Sequence, residues 1–383
     1  MEHPRPLDGV VVVELGHSVA APYAGLILAD LGARVIKVEN PEKGDYARGW
    51  GPPFWGDTAS AYAALNRGKE SITVDFADPD QATALRRLII DEADGVIQNL
   101  RPGILDTYDL SAESFRKAKP SLIWCDIGAF GAKGPMSRKP GYDPLVQAST
   151  GIMSVTGEGD RPPVRVGISL VDLGSGMWTA LGFLSAFISR IKHGGGAQVA
   201  TSLYETGLAW MTLPLAGYQA AGDIRKPYGS GVAEIVPYQA FQTNDGWLMI
   251  AAGNDNLFRK FCNVLGRNDL VSDLAYVTNS QRVINRERLL PIIAEAVAKF
   301  GMDELGERLD AVGVPNAPLL GVEGVAHHPQ TKALDAIVTC DDNLSLVSIP
   351  LSFDGARPRN ARRAPKLGEH NRKNGIKNGT GHD

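Results

Sequence analysis

One aspartate stands where a carboxylate could act as a nucleophile. Asp172 lies in the run LVDLGSG, which begins at Leu170 and leads into a long apolar segment predicted to be helical. An aspartate at a helix start usually caps the helix by accepting hydrogen bonds from free backbone amides. The same amides favour the ionised carboxylate, so Asp172 could also attack an electrophilic carbonyl at neutral pH. Gly174 and Gly176 would allow a bulky substrate to approach, and their amides could stabilise an oxyanion. Position alone leaves both interpretations open.

A second set of side chains could hold an anionic ligand. Arg48, Lys69, Asn99 and Arg101 lie in short loops next to predicted strands. Asn99 and Arg101 directly follow a strand, and ligands of open α/β sheets bind outside the carboxyl ends of strands. Taken singly, each of these side chains could equally be an ordinary solvated group.

The loop after the first predicted strand, Gly16–Ala21, contains no G-x-G-x-x-G pattern, and the chain has no Walker lysine motif. These patterns are the signatures of dinucleotide and nucleoside triphosphate binding. Their absence disfavours both a nicotinamide dehydrogenase and an ATPase.

The elements that must position these residues alternate between strand and helix. A β-branched run, Gly9–Leu15, precedes a predicted helix from Pro22 to about Leu31, and Arg34–Glu39 is the next strand. This is a βαβ unit with a parallel sheet. The alternation continues through Ser71–Phe76, Asp80–Ala93, Gly95–Asn99, Ala112–Lys119 and Leu122–Ile127. The pattern predicts an α/β fold with a Rossmann-like, doubly wound parallel sheet.

The composition changes after the long helix predicted at Asp172–Lys192. A polar, glycine-rich segment, Ala221–Gly231, is typical of a linker, and Asn244-Asp245-Gly246 predicts a hairpin. The hairpin would join strands at Tyr238–Gln242 and Trp247–Ala252, followed by helices near Asn256–Leu265, Ser280–Phe300 and Met302–Val312. We therefore predict a large domain at 1–220, completed by 331–383, and a smaller α+β domain at 221–330.

Bulk properties exclude several classes of function. The 383 residues carry a net charge of −4, so no strong global field attracts nucleic acid. The three cysteines follow no metal-ligand spacing, and His327-His328 lacks an acidic partner, so no metal site is predicted. The N-terminus does not resemble a signal peptide, and the apolar stretch Met177–Ile191 is too short to span a bilayer. We expect a soluble cytoplasmic protein without membrane contact.

The ordered run of motifs resembles one known family over essentially the full chain. The chain is similar to the class III CoA-transferases, the CaiB/BaiF or formyl-CoA transferase-like family. The matching segments are Pro6–Leu15, Gly32–Glu39, Gly44-Asp45, Asn66–Ile72, Asn99–Gly103, Gly134-Pro135, Gly141–Asp143 and Leu367–His370. Each segment is weak alone, whereas their order along the whole chain is specific.

This resemblance implies a mechanism and a set of roles. Asp172 falls at the family's catalytic aspartate, which forms a mixed anhydride with the donor acyl group and then an aspartyl-CoA thioester. His17 and Val19 would lie in the loop facing the thioester, where formyl-CoA transferase-like members have a His and a Gln. CoA contacts would come from Arg48, Lys69, Asn99 and Arg101. No tightly bound cofactor is implied, because CoA enters as the acyl-CoA substrate.

The resemblance also implies an interlocked homodimer, in which each chain is threaded through its partner. The family's glycine-rich lid has Gly229–Gly231 as its nearest, shorter counterpart. Val19 departs from the family's Gln and disfavours formate and oxalate as substrates. Arg138, Lys139 and Arg165 could bind a second carboxylate, which favours a dicarboxylic acid such as succinate.

Two alternative functions remain. The same family includes α-methylacyl-CoA racemases, whose catalytic His corresponds to Tyr142 here. A phenol with a pKa near 10 is a poor group for reversible proton abstraction at neutral pH, so transfer is favoured and Tyr142 would border the substrate. A CoA-binding protein without turnover would keep the basic loops but would not need Asp172.

Overall fold

The computed structural model describes residues 4–376. The chain forms two compact units. The first contains the described parts of Met1–Thr150, Val166–Thr212 and Pro329–Asp383, and the second contains Gly151–Arg165 and Leu213–His328. Unlike the boundaries expected from sequence, Gly151–Arg165 and residues 213–220 belong to the second unit, and residues 329–330 belong to the first. Residues 1–3 and 377–383, which were assigned to the large domain, lie outside the described residues.

The first unit is built on a six-stranded sheet whose neighbouring strands are all parallel, in the order β5-β2-β1-β6-β7-β8. In chain order from Val11 to Ser202, the strands are β1 (Val11–Glu14), β2 (Arg34–Glu39), β3 (Phe54–Trp55), β4 (Thr58–Ala59), β5 (Glu70–Thr73), β6 (Gly95–Gln98), β7 (Ile123–Gly128) and β8 (Gln198–Ser202). β3 and β4 form a separate antiparallel pair. The predicted doubly wound parallel sheet is confirmed. The strand order reverses between β1 and β6, and this reversal is where such sheets place their ligand sites.

The helices of this unit flank the sheet. They are α1 (Ala20–Asp30), α2 (Ser60–Asn66), α3 (Pro79–Asp91), α4 (Ile104–Thr107), α5 (Ala112–Ala118), α6 (Asp143–Ser149), α7 (Leu170–His193) and α8 (Leu203–Trp210). Buried β-branched and aromatic side chains fill the layer between sheet and helices, including Ile36, Val96 and Trp124. This packing explains why β1 lies in a nearly continuous β-branched run of the sequence.

Helix α7 packs lengthwise on α1 and against β7 and β8. A Cβ atom on Gly176 would lie only 2.7 Å from the carbonyl oxygen of Ala20, so glycine allows α7 and α1 to approach closely. Near its other end, the Arg190 guanidinium forms a 2.7 Å ion pair with Asp94. Among the described residues, α7 is the helix whose length and apolar composition would be compatible with a membrane span.

The second unit contains a three-stranded antiparallel sheet in the order β11-β10-β9. Its elements are α9 (Thr212–Ala221, which starts at the unit boundary), β9 (Tyr238–Gln242), β10 (Trp247–Ala251), α10 (Asp255–Val264), α11 (Asn268–Ser272), α12 (Asn279–Ile284), α13 (Arg286–Val297), α14 (Met302–Ala311), β11 (Asn316–Pro318) and α15 (Val322–His327). The predicted hairpin is confirmed. The single helix expected at Ser280–Phe300 is instead two helices that meet at Asn285.

The C-terminal segment returns to the first unit through α16 (Pro329–Ala333), β12 (Ile337–Thr339) and β13 (Ser345–Val347). It then runs along the edge strand β5. The Asn371 side chain accepts a 2.8 Å hydrogen bond from the Thr73 amide and donates one to the Thr73 hydroxyl. The edge strand is therefore covered by the chain's own C-terminal segment.

Candidate active site

The loop after β1 is fixed by a side chain that follows β6. The Asn99 amide oxygen accepts a hydrogen bond from the His17 amide at 2.9 Å, and its nitrogen donates to the His17 carbonyl at 2.9 Å. The Ser18 amide donates to Asp45 Oδ1 at 2.9 Å, and Ser18 has a left-handed φ of 68°. The Asn99 side chain therefore fixes the backbone of the loop at His17. The expected direct contact of this side chain with CoA stays a prediction.

A buried ionic cluster lies beneath this loop. Lys37 Nζ is 2.8 Å from Glu14, 2.7 Å from Asp45 and 2.8 Å from the Gly16 carbonyl oxygen, and the three charged side chains are fully buried. Burial alone would lower the pKa of Lys37, but Glu14, Asp45 and Glu39 together raise it well above its ordinary value. Lys37 is therefore a permanent cation that ties the loop to the sheet.

Lys69 belongs to the same cluster. Its Nζ donates to Glu14 at 2.7 Å, to the Pro22 carbonyl at 2.7 Å and to Asn66 at 2.9 Å, and the side chain has no exposed surface. Burial lowers the pKa of Lys69 to about 8, against the attraction of Glu14. The expectation that Lys69 contacts CoA is wrong in this geometry, because its three donors are already bound inside the protein.

Arg48 already makes several contacts within the protein. Its guanidinium forms two bonds with the Glu39 carboxylate, at 2.8 and 2.7 Å, and lies 3.9 Å above the Tyr62 ring. About 20% of the side chain stays exposed. The exposed Arg101 follows β6 at the carboxyl edge of the sheet. The expected CoA contacts of both arginines stay predictions, and Arg101 is the more accessible of the two.

His17 sits half-buried at the tip of the loop. Its Nδ1 lies 3.1 Å from the Ser18 hydroxyl, and its ring meets Tyr46 edge-on at 5.0 Å. Burial, assisted by the charges of Lys37 and Arg101, lowers the pKa of His17 although Asp45 opposes the shift. The imidazole is therefore neutral at pH 7 and can donate or accept a hydrogen bond without net charge. Val19 is only 8% exposed, which leaves little of its side chain for a ligand.

The structure corrects the expected position of Asp172. Helix α7 begins at Leu170, so Asp172 is the third residue of the helix and not its cap. The cap is supplied by Asp143, whose Oδ2 accepts hydrogen bonds from the Val171 amide at 2.8 Å and the Asp172 amide at 3.3 Å. The free amides at the helix start are therefore occupied by another carboxylate.

The ionisation of Asp172 also differs from the expectation. Burial, and then the negative charge of Asp143, raise the pKa of Asp172 to about 7. At neutral pH, the protonated and ionised forms of this half-buried carboxyl group are therefore about equally populated. A raised pKa also makes the ionised form a more basic nucleophile.

The two glycines after Asp172 serve packing and not substrate approach. A Cβ on Gly174 would lie 2.8 Å from the Thr206 methyl and 2.9 Å from the Trp210 ring, and both glycines are buried. They follow the first turn, where helix amides bond to carbonyls four residues back, so their amides are not free for an oxyanion. The expected roles of Gly174 and Gly176 at the substrate are therefore wrong.

The same close packing brings the two candidate catalytic segments together. Gly176, one turn after Asp172, lies against the backbone of Ala20, three residues after His17. Helices α7 and α1 thus begin side by side, and they carry Asp172 and the His17 loop at the same edge of the sheet. This edge includes the reversal of strand order between β1 and β6.

Other predicted residues lie in different surroundings. Tyr142 precedes α6 and is 62% exposed, so it can border a substrate. Arg138 and Lys139 lie in the loop between β7 and α6, whereas Arg165 belongs to the second unit. Gly229 and Ser230 are bonded within the second unit, to Gly157 and Ala240. Among residues 4–376, no group of His, Cys, Asp and Glu side chains could hold a metal ion.

Sequence reasoning did not identify Asp143, Glu14, Lys37 or Asp45 as parts of the site. A charged residue inside an apolar strand, such as Glu14 or Lys37, is a detectable signal, since a charge rarely occupies a buried strand without a partner. The role of Asp143 had no comparable local signal, because its partners are 28 and 29 residues away in the chain.

Comparison with known proteins relates this arrangement to one chemistry. A family model described as CoA-transferase family III matches residues 7–371. The succinate–glutarate CoA-transferase of Agrobacterium fabrum is 37% identical over 375 residues, covering 95% of this chain and 94% of the relative. Human succinyl-CoA:glutarate CoA-transferase is 32% identical and covers 97% and 85%. The crystal structure of a CaiB/BaiF family protein from Brucella suis has a TM-score of 0.88 at 38% identity and covers 97% and 98%.

Proposed function

Because the chain belongs to CoA-transferase family III, we propose that it moves CoA between carboxylic acids through a covalent intermediate on Asp172. The single observation that carries this proposal is the position of Asp172 in the first turn of α7. The carboxylate is half-buried, its pKa is raised to about 7, and its helix starts beside the His17 loop. These properties combine access with basicity, which a carboxylate nucleophile needs.

The proposed reaction has four balanced steps. An ionised Asp172 oxygen attacks the thioester carbonyl of the donor, the carbon–sulfur bond breaks, and CoA leaves as a thiolate. The thiolate attacks the aspartyl carbonyl of the resulting anhydride, which releases the donor acid as a carboxylate and leaves aspartyl-CoA. The acceptor carboxylate then attacks the aspartyl thioester, and the freed thiolate attacks the acceptor carbonyl of the second anhydride. Asp172 is regenerated, and a thioester has been exchanged for a thioester.

The residues around Asp172 have supporting roles in this proposal. A neutral His17 could donate a hydrogen bond to the thioester oxygen as negative charge develops there. Asn99 and Lys37 hold the backbone of the His17 loop, so the donor group needs no rearrangement during the reaction. The energy of the thioester is conserved, so the proposed reaction needs neither ATP nor a metal ion, and we expect no tightly bound cofactor.

We propose a dicarboxylic acid as the acceptor. Two relatives are named for transfer between succinate or succinyl-CoA and glutarate, which are both dicarboxylic acids. The second carboxylate of such an acid needs a cation, and Arg138 and Lys139 lie in the loop that precedes Tyr142 and α6. Arginine forms paired hydrogen bonds with carboxylates, which favours Arg138 for this role.

The test of the function compares Asp172→Asn with the wild-type enzyme. Purified protein is assayed for CoA exchange between succinyl-CoA and glutarate, then with acetyl, formyl and glutaryl donors. We expect the variant to lose about a thousandfold or more in turnover, because the amide cannot form the anhydride. Asp78→Asn, which changes the N-cap of α3, is the matched control and should exchange CoA at the wild-type rate. Turnover of Asp172→Asn within about tenfold of the wild type would contradict the proposal.

The same samples test the two alternatives. A racemase would exchange the α-hydrogen of a chiral 2-methylacyl-CoA with solvent deuterium, which mass spectrometry detects. A CoA-binding protein would bind acyl-CoA without any exchange between acids. We expect transfer of CoA without solvent deuterium in the acyl group.

We also propose that the enzyme is a homodimer, interlocked as the family resemblance implies. The support is a stripe of exposed apolar side chains on α7, formed by Met177, Leu181, Ile188 and Ile191, which are 51% to 71% exposed. Such a stripe usually marks a protein interface. Light scattering should give twice the mass of the chain at micromolar concentration, and a monomer would contradict the proposal.

We propose a cytoplasmic location for the enzyme. Its three cysteines are free and buried, which is typical of a reducing compartment. Fractionation of cells that express the tagged chain should recover it with cytoplasmic markers, and recovery with a membrane or secreted fraction would contradict this location.

A further inference from the structure

The chain leading into α7 is held by two buried side chains of α6. Asp143 Oδ1 accepts a 2.6 Å hydrogen bond from Gln147 Nε2, and Gln147 Oε1 accepts one from the Val166 amide at 2.9 Å. Asp143 Oδ2 accepts from the amides of Val171 and Asp172. Asp143 is 3% exposed and Gln147 is fully buried. Four residues apart on one face of a helix, they form a rigid bracket for the segment that carries Asp172.

The charge of Asp143 is not explained by capping alone. Asparagine caps helices about as well as aspartate, so an uncharged side chain could bind the same amides. A buried carboxylate is costly unless it is paired or strongly hydrogen-bonded. The hydrogen-bond partners of the Asp143 carboxylate are the Gln147 side-chain amide and two backbone amides, all of them uncharged. Its negative charge is therefore not neutralised by these partners and acts on the adjacent turn.

We propose, on the basis of the proposed function, that Asp143 is a positioning residue that fixes the first turn of α7 and drives Asp172 toward its uncharged acyl derivatives. Two like charges at one helix start repel each other while Asp172 is ionised. The repulsion disappears when Asp172 becomes an anhydride or a thioester, because the aspartyl group is neutral in both derivatives. The bracket therefore favours the covalent intermediate over the free carboxylate.

The other charged groups on elements packed against α7 have partners of their own. On α1, Asp30 is paired with Arg67. On α8, Glu205 accepts a hydrogen bond from Ser202, and on β7, Asp126 accepts one from Gln98. The titratable groups left on these elements are Tyr23, Cys125 and Tyr204. Burial raises the pKa of Tyr23 and of Cys125, so both are uncharged at neutral pH. Within the described part of the chain, Asp143 is the charged group whose negative charge raises the pKa of Asp172.

The repulsion between Asp143 and Asp172 links two measurements quantitatively. Protonation and acylation both neutralise Asp172, so the same repulsion favours each of them. Removing the charge of Asp143 should lower the midpoint of the acid limb of kcat/KM. It should also reduce the amount of covalent adduct at equilibrium by a similar factor, about tenfold for about one pH unit.

The decisive variant is the double substitution Asp143→Asn with Gln147→Glu. The asparagine side chain introduced on α6 would present its oxygen to the α7 amides and its nitrogen to the introduced glutamate. The other oxygen of that glutamate would accept a hydrogen bond from the Val166 amide. The hydrogen bond between the two side chains and those from the Val166, Val171 and Asp172 amides are retained, and the long 3.5 Å bond from Gln147 to the Ile168 carbonyl is lost. The negative charge moves from position 143 to position 147, one helical turn further along α6. The single Asp143→Asn variant places two amide nitrogens opposite each other, so we expect it to be less stable than the double variant.

The experiment measures the pH dependence of kcat/KM and the yield of adduct trapped by hydroxylamine after mixing with succinyl-CoA. The double variant should show an acid limb at lower pH and a smaller adduct yield, with an unfolding midpoint close to that of the wild type. A wild-type limb and yield would overturn the role of Asp143 while leaving the transferase intact. A different result would contradict the proposed function itself, namely CoA exchange that persists in Asp172→Asn. Asp78→Asn should reproduce the wild type in both measurements.

Discussion

Lys37→Met is the perturbation that most directly tests the buried cluster beneath the His17 loop. The substitution keeps an unbranched side chain that is one atom shorter and removes its charge. It leaves the carboxylates of Glu14 and Asp45 buried with one partner fewer, at sites where the Lys37 nitrogen now lies 2.8 and 2.7 Å away. Removing one partner of a buried ion pair costs about 3–5 kcal/mol, because the remaining charge stays desolvated.

Lys373→Met is the matched control. Lys373 also forms an ion pair with a glutamate, at 2.6 Å from Glu70, but the Lys373 side chain is 56% exposed, and the buried Glu70 also binds Arg34 and Asn374. An exposed lysine contributes below about 1 kcal/mol to such a pair, since water screens its charge, and Glu70 keeps its other two partners without it. The two variants thus lose the same chemical group and differ in the burial of the lysine and in the partners left to the carboxylate.

The assay is urea unfolding of both variants and the wild type, followed by circular dichroism, with CoA exchange measured in the absence of urea. We expect Lys37→Met to lose roughly 3–5 kcal/mol of unfolding free energy and Lys373→Met less than about 1 kcal/mol. Exchange should fall in Lys37→Met, because the Gly16 carbonyl loses its anchor. Equal unfolding free energies in the two variants, within about 0.5 kcal/mol, would refute this reasoning.

Four further results are expected. The wild-type kcat/KM should rise with pH through about 7, since Asp172 has a pKa raised to about 7 and only its ionised form attacks. Below this pH, kcat/KM should fall about tenfold per pH unit. A flat profile from about pH 5 to 8 would contradict the assignment of Asp172 as the nucleophile. Asn99→Ala removes both bonds to the His17 backbone and should lower kcat roughly 10- to 100-fold in steady-state assays, whereas an unchanged kcat would show that the loop needs no such anchor. Arg101→Gln should raise the KM for acyl-CoA by about tenfold with kcat retained, as loss of one phosphate contact implies, and an unchanged KM would remove Arg101 from the binding site. Tyr142→Phe should exchange CoA within about threefold of the wild type, and a loss beyond about a hundredfold would assign the hydroxyl a chemical role.

The sheet could be predicted because its information is local. The run Gly9–Leu15 and the strand Arg34–Glu39 are rich in β-branched residues, and the glycine that ends the first helix lies between them. The hairpin was equally predictable, since Asn244-Asp245-Gly246 fixes the turn between two strands of opposite direction. The turn signal at Asn285 is weaker, and the single helix expected there is divided into α12 and α13.

The site was only partly predictable because its contacts are long-range. The sequence places Asp172 at a helix start, but the residue that caps this helix is Asp143, 29 positions earlier. Lys69 resembled a loop cation until the structure placed Glu14, from another strand, against its nitrogen. Glycines that indicated substrate access instead allow α7 to pack on α1 and α8. Each of these errors came from a partner that the local pattern could not reveal.

The most direct test of the account is the chemical state of Asp172 during turnover. Wild-type enzyme is mixed with succinyl-CoA, treated with hydroxylamine, digested, and analysed by peptide mass spectrometry. The account predicts an aspartyl hydroxamate on the peptide that contains Asp172 and none in Asp172→Asn. Steady CoA exchange with an unmodified Asp172, or with the hydroxamate on Asp143 instead, would contradict it.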